Sequence, residues 1–192
     1  MPVLLPVHGE HMVANACLAA AIGLEFGLTL EECAAGLART VIPGNRLKIQ
    51  HLGPLLVIND AYNANPDSMM AALKTASQLS VTGRRVVALG RMGELGKESE
   101  AAHRRLGRKV AELEFDFLVT VGDEARLIAE SASSAGLKST QQADTHEQAI
   151  DALLHYLEPG DLLLVKGSLS SAMDRVVHGL EAVFGQAKWR SP

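Results

Sequence analysis

Apolar side chains at Val13, Ala16, Cys17, Ala20 and Leu24 recur at spacings of three and four. That period predicts a helix over 11–26, ended by Gly27. Thr29 is placed to cap a second helix over 30–39, with Glu31 and Glu32 near its positive end. Pro43-Gly44-Asn45 then breaks the pattern. Beyond it short apolar runs alternate with longer amphipathic ones. Strands are predicted over 52–58, 85–89, 115–121, 140–143 and 161–165, and helices over 68–79, 98–113, 124–135, 147–157 and 170–184. The first strand is expected to pair with residues 47–51 across Gly53-Pro54.

Strands alternating with helices mean βαβ units, hence an α/β fold with a mainly parallel sheet and helices on both faces. The two helices before Pro43 stand outside this alternation. They read as the tail of a preceding domain, with a boundary near 41–45, and the tail after Gly185 is expected to be frayed.

Composition narrows the function classes. Of 192 residues, 47% are hydrophobic, enough for a sizeable core, and 21% are charged, as in ordinary soluble proteins. Net charge is −4 and no extended basic run occurs, which disfavours nucleic-acid binding. Cys17 and Cys33, the two cysteines, both fall in helical patterns, which suits a reducing compartment better than a disulfide framework. No stretch has the length or apolarity of a membrane span, and the apolar run at 3–7 has no charged leader before it. The expected location is the cytoplasm, without membrane insertion.

Candidate chemistry gathers where strands end. In a parallel sheet the loops after strand C-termini share one edge, and ligands bind there. Three such loops are rich in polar groups. The first carries Asp60, Tyr62, Asn63, Asn65 and Ser68; the second is Gly90-Arg91-Met92-Gly93-Glu94-Leu95-Gly96; the third is Lys166-Gly167-Ser168. Carboxylate, carboxamides, lysine and glycine-loop amides suit a polar, partly anionic ligand. Each also has a plainer use. Asp60 and the asparagines serve equally well as turn or cap residues, and the glycines as backbone hinges. The glycines match neither a phosphate loop nor G-x-G-x-x-G. The seven histidines show no metal spacing, His8 and His11 included.

Six motifs occur in order: G-E-H-M-V-A-N-A (9–16), P-G-N-R-L (43–47), N-D-A-Y-N-A-N-P-D-S-M (59–69), G-R-M-G-E-L-G (90–96), E-S-E-A-A-H-R-R-L-G (98–107) and L-V-K-G-S (164–168). Together the chain resembles the Mur ligases of peptidoglycan synthesis, in the branch that adds D-alanyl-D-alanine to UDP-N-acetylmuramoyl-tripeptide. The resemblance implies a Rossmann-like C-terminal domain at 43–192, preceded at 1–42 by the helical end of the family's central ATPase domain. It implies an ATP-dependent ligase needing Mg²⁺, whose phosphate loop and metal-binding residues lie upstream. The small-molecule substrates would be the UDP-muramoyl peptide and D-alanyl-D-alanine, and the partners the upstream domains.

Residue by residue, the resemblance implies nucleotide contacts from Asn15, Arg46 and Asp60. It implies a substrate wall from Asn63, Asn65, Ser68 and Arg91, with Lys166 as a candidate catalytic group. Three positions depart from the family pattern. Met12 stands for asparagine, Arg91 for aspartate, and Leu169 for arginine. A cation at 91 is expected to repel the ammonium of an incoming dipeptide if its loop faces that substrate. Two other readings are a superfamily ligase with another amine substrate and a non-catalytic binding domain of the same fold.

Overall fold

The computed structural model describes residues 2–7, 9–41 and 44–185; His8, Pro43 and the tail after Gly185 lie outside these. Two compact units are formed, by residues 1–44 and 45–192. The first holds helices α1 (Glu10–Glu25) and α2 (Leu30–Leu37). Thr29 and Glu32 form a reciprocal capping box at the start of α2. Cys33 is buried, its thiol against the Ala20 carbonyl. Most other apolar side chains of this unit stay in solvent, including Leu18, Ile22 and Phe26.

The second unit runs β1 (Lys48–Leu52), β2 (Leu55–Asp60), α3 (Pro66–Gln78), β3 (Arg85–Leu89), α4 (Ser99–Glu112), β4 (Phe117–Val121), α5 (Asp123–Ser134), β5 (Thr140–Ala143), α6 (His146–Tyr156), β6 (Leu162–Lys166) and α7 (Asp174–Phe184). Its sheet has the order β1-β2-β6-β3-β4-β5. All pairings are parallel except β1 with β2, the hairpin across Gly53-Pro54. Strand period then sorts the core into two layers. Ile58, Val87, Leu89, Leu118, Leu162 and Leu164 pack with α3, α4 and α5. Val57, Val86, Ala88, Val119, Leu163 and Val165 pack with α6 and α7. Strands β3 and β6 are apolar on both sides, as a covered parallel sheet requires.

Element ends mostly fall within two residues of expectation. Two starts are exceptions: β2 begins three residues late, at Leu55, because the Gly53-Pro54 turn precedes it, and the last helix begins later still. A 3₁₀ turn spans Leu169–Ser171, Ala172 is left-handed at φ 46°, and α7 starts only at Asp174. The Ser171 hydroxyl bonds back to the Ser168 carbonyl at 2.7 Å, so local side-chain bonding replaces the first helical turn. Among the described residues no helix is long and apolar enough to cross a membrane.

Candidate functional site

The sheet order brings the three polar loops together. β6 lies between β2 and β3, so the segments after Asp60, Leu89 and Lys166 are neighbours along one edge. Two backbone bonds join the second and third of them, Gly90 N–H to Lys166 O at 2.8 Å and Ser168 N–H to Arg91 O at 2.9 Å. Such close approach has a steric condition. A Cβ on Gly90 would lie 2.6 Å from Ser171 Oγ, and one on Gly167 would lie 2.3 Å from the same atom. Only glycine lets these two loops pass.

Between the loops lies an open pocket of about 730 Å³. Tyr62, Asn63 and Asn65 line it from the β2 loop, Arg91, Gly93 and Glu94 from the β3 loop, and Ser168, Leu169 and Ser170 from the β6 loop. A second hollow of about 670 Å³ lies beside Phe117, Ser139 and Thr140, at the N-terminal ends of β4 and β5. Open parallel sheets do not bind their ligands at that edge.

Asp60 and Lys166, the last residues of β2 and β6, are not among the residues lining the pocket between the loops. Asp60 Oδ2 lies 2.7 Å from Lys166 Nζ, and Oδ1 accepts the Leu47 N–H at 2.8 Å. Lys166 also donates to the Asn63 carbonyl at 2.8 Å. Only 2% of the Lys166 side chain is exposed. Burial pushes its ammonium below the usual lysine range, and the Asp60 carboxylate opposes that shift. Lys166 therefore ties the β2 loop to β6 rather than standing open to solvent. Asp60 in turn fastens the segment that carries Arg46, whose guanidinium lies 4.1 Å from the centre of the Tyr62 ring. Tyr62 N–H closes this corner on Asn45 O at 3.0 Å.

Asn65 and Ser68 have a local task. Asn65 is the N-cap of α3, its side-chain oxygen accepting the Ser68 N–H at 2.8 Å, and the Ser68 hydroxyl receives the Asn65 N–H at 3.1 Å. With Pro66 opening the helix, this is a complete start signal. Asn65 still faces the pocket; Ser68 is not among the lining residues. Asn63 Oδ1 accepts the Ala64 N–H at 2.8 Å. Asn15 belongs to the first unit, where it is exposed on α1 with its amide 3.8 Å from Met12 Sδ.

Arg91 enters the pocket with two partners, Glu124 Oε1 at 2.7 Å and Ser170 Oγ at 3.0 Å. Glu124 Oε2 accepts from Ser99 Oγ at 2.9 Å. Its hydrogen bond from Arg91, then that from Ser99, holds the Glu124 carboxyl below the usual carboxylate range. His103 is fully buried beside them. Its Nε2 accepts the Met92 N–H at 2.9 Å and its Nδ1 lies 2.7 Å from Ser99 O, which assigns the neutral Nδ1–H form. Sequence reading did not single out Glu124, Ser99 or His103 as site residues. The usable signal for Glu124 was its place just after Gly122, at a fourth strand-to-helix junction.

Comparison with known proteins bears on family and fold. The family described as "Mur ligase, glutamate ligase domain" matches residues 45–169. The UDP-N-acetylmuramoyl-tripeptide–D-alanyl-D-alanine ligase of Escherichia coli K12 is 37% identical over 93% of this chain and 39% of its own length. MurF from Acinetobacter baumannii superposes with a TM-score of 0.82 at 34% identity, over 94% of this chain and 40% of that one. MurF ligase from Thermotoga maritima, solved in complex with ADP, has the same fold at a TM-score of 0.81 and 21% identity, over 96% of this chain and 41% of that one. The chain thus spans about two-fifths of the length of such relatives.

Proposed function

Given that this chain belongs to the Mur ligase family, we propose that it is the C-terminal part of an ATP-dependent ligase joining D-alanyl-D-alanine to UDP-N-acetylmuramoyl-tripeptide. In this reading residues 1–42 end the central ATPase domain and 43–192 form the C-terminal domain. Magnesium and the phosphate loop belong to the upstream part, and the complete enzyme works in the cytoplasm. The observation that carries the reading is the pocket built from the β2, β3 and β6 loops, in a chain 37% identical to a ligase of that activity.

The residues fit a nucleotide at one corner. Arg46, Tyr62 and Asp60 form a cation, an aromatic face and a carboxylate in one fastened segment. Each Asp60 oxygen has accepted one hydrogen bond and retains capacity for ribose hydroxyls. Asn15, within the first unit, is kept as a nucleotide contact on its motif alone. ATP phosphorylates the tripeptide carboxylate and leaves as ADP; the dipeptide amine then attacks the acyl carbon, the C–O bond to phosphate breaks, and phosphate and a proton leave. Asn63, Asn65 and Arg91 face that incoming substrate, and Ser68 supports Asn65 from the capping box. Lys166 acts by holding Asp60 and the Asn63 carbonyl in place.

A ligase with another amine substrate is the second reading. It is favoured by Arg91 and Leu169, which line the pocket where the family pattern has aspartate and arginine. The full-length protein, given ATP, Mg²⁺ and UDP-N-acetylmuramoyl-tripeptide, is expected to release ADP on addition of D-alanyl-D-alanine. Release with a different amino acid or peptide and none with D-alanyl-D-alanine would establish the second reading instead.

A further inference from the structure

Arg91 is the cation on the pocket wall, and it is not loose. Glu124 takes one terminal nitrogen and Ser170 the other. Among the described residues these use two of its five N–H groups and leave three for a ligand. Glu124 is itself fixed from behind by the Ser99 hydroxyl, and Ser99 opens α4. The result is a guanidinium aimed by a carboxylate and a hydroxyl from two different helices. Its charge is balanced by Glu124, so a nearby ammonium meets little net field. What remains directional is the fork of N–H donors, the geometry that receives a carboxylate. Ser168 and Ser170 hydroxyls, 3.1 Å apart, stand on the same wall; one proton is used between them and the other remains as a donor.

We propose that Arg91 receives the terminal carboxylate of the incoming dipeptide, and that Glu124 and Ser99 are positioning residues that aim it. This deepens the ligase reading and rests on it. It also reverses the sign expected from charge alone, in which Arg91 repels the dipeptide ammonium. A dipeptide carries its reacting amine roughly 7 Å from its carboxylate, at about 3.3–3.6 Å per residue. A grip on the carboxylate at Arg91 therefore leaves the amine free to reach toward the activated acyl group.

The test compares D-alanyl-D-alanine with its C-terminal amide in the full-length ligase. The acid is expected to have a KM lower by about tenfold or more, the span of a charge-assisted hydrogen bond, with similar kcat. Arg91→Gln should bring the acid-to-amide KM ratio close to one. Arg91→Lys should give an intermediate ratio, since it keeps the charge but loses the fork. Ser99→Ala, which keeps the Glu124 charge but removes the hydroxyl that fixes it, should lower the ratio without lowering the melting temperature in proportion, which a purely structural role would not do. Normal turnover with equal KM for acid and amide, or a ratio untouched by Arg91→Gln, overturns the proposal and leaves the ligase reading standing. No turnover of either dipeptide by the wild-type protein overturns the ligase reading, and this proposal with it.

Discussion

Asp60 and Lys166 are register partners on adjacent parallel strands, and their side chains meet at 2.7 Å at the C-terminal edge of the sheet. Both strands put these residues on the face covered by α3, α4 and α5. The pair is therefore set by strand register rather than by flexible reach.

Removing one member should be costly. Lys166→Met leaves the Asp60 carboxylate nearly buried with no cation, and breaking such a pair costs about 3–5 kcal/mol. Urea unfolding should show the loss. The double variant Lys166→Met, Asp60→Leu should recover much of it, because two apolar groups leave no orphaned charge. A Lys166→Met protein as stable as wild type would mean that the pair is not formed in solution.

Asp60→Asn keeps an oxygen for the Leu47 N–H but loses the charge. In the full-length ligase we expect KM for ATP to rise about tenfold, as for loss of a charge-assisted hydrogen bond, with a smaller change in KM for the dipeptide. Equal rises in both constants would point to a general loosening of the loop instead of a nucleotide contact.

Asn65→Ala should cost about 0.5–2 kcal/mol of stability through loss of the α3 cap. Thermal unfolding reads this directly. Asn65→Asp keeps a capping acceptor and should remain near wild type in stability. Any change in dipeptide KM that it shows would then report on the pocket.

Glu124 gives an acid-limb prediction. Its folded-state pKa lies below the unfolded one, so the unfolded chain binds the proton more readily as pH falls. The stabilisation is present above about pH 4.5, the ordinary glutamate value, and is lost as pH drops through the lower folded value. Both partners are 42% exposed, so solvent screening keeps the gain below about 1 kcal/mol. Wild type and Glu124→Gln should differ in stability at neutral pH and converge as pH falls below the ordinary glutamate range. Constant separation across that range would contradict the assignment.

Much of this architecture was written in the residue pattern. The unbroken apolar run at 86–89 and the three-to-four period at 99–112 are strong because the strand is covered on both faces and the helix buries one. The site was legible as far as which loops carry it, since polar clusters at strand ends are a local signal. The insertion of β6 between β2 and β3 was not, because strand order depends on contacts far apart in sequence. Nor was the burial of Lys166, which a strand-end lysine does not announce. The late start of α7 was missed because the apolar period begins at Met173, and serines at 168, 170 and 171 fit a helix start as well as a 3₁₀ turn. Glu124 was overlooked since its partner Arg91 is 33 residues away.

The central place of β6 also governs the order of assembly. β2 and β3 do not pair with each other; each pairs with β6, the latest of the described strands in chain order. Until that strand is synthesised, the chain holds a lone hairpin and a separate three-stranded piece with unpaired inner edges. Contacts of such long sequence separation slow folding, and exposed strand edges invite association. A ribosome-bound chain ending before residue 162 should therefore be protease-sensitive throughout this unit. Protection should arrive in a single late step, when Leu162–Lys166 closes the gap.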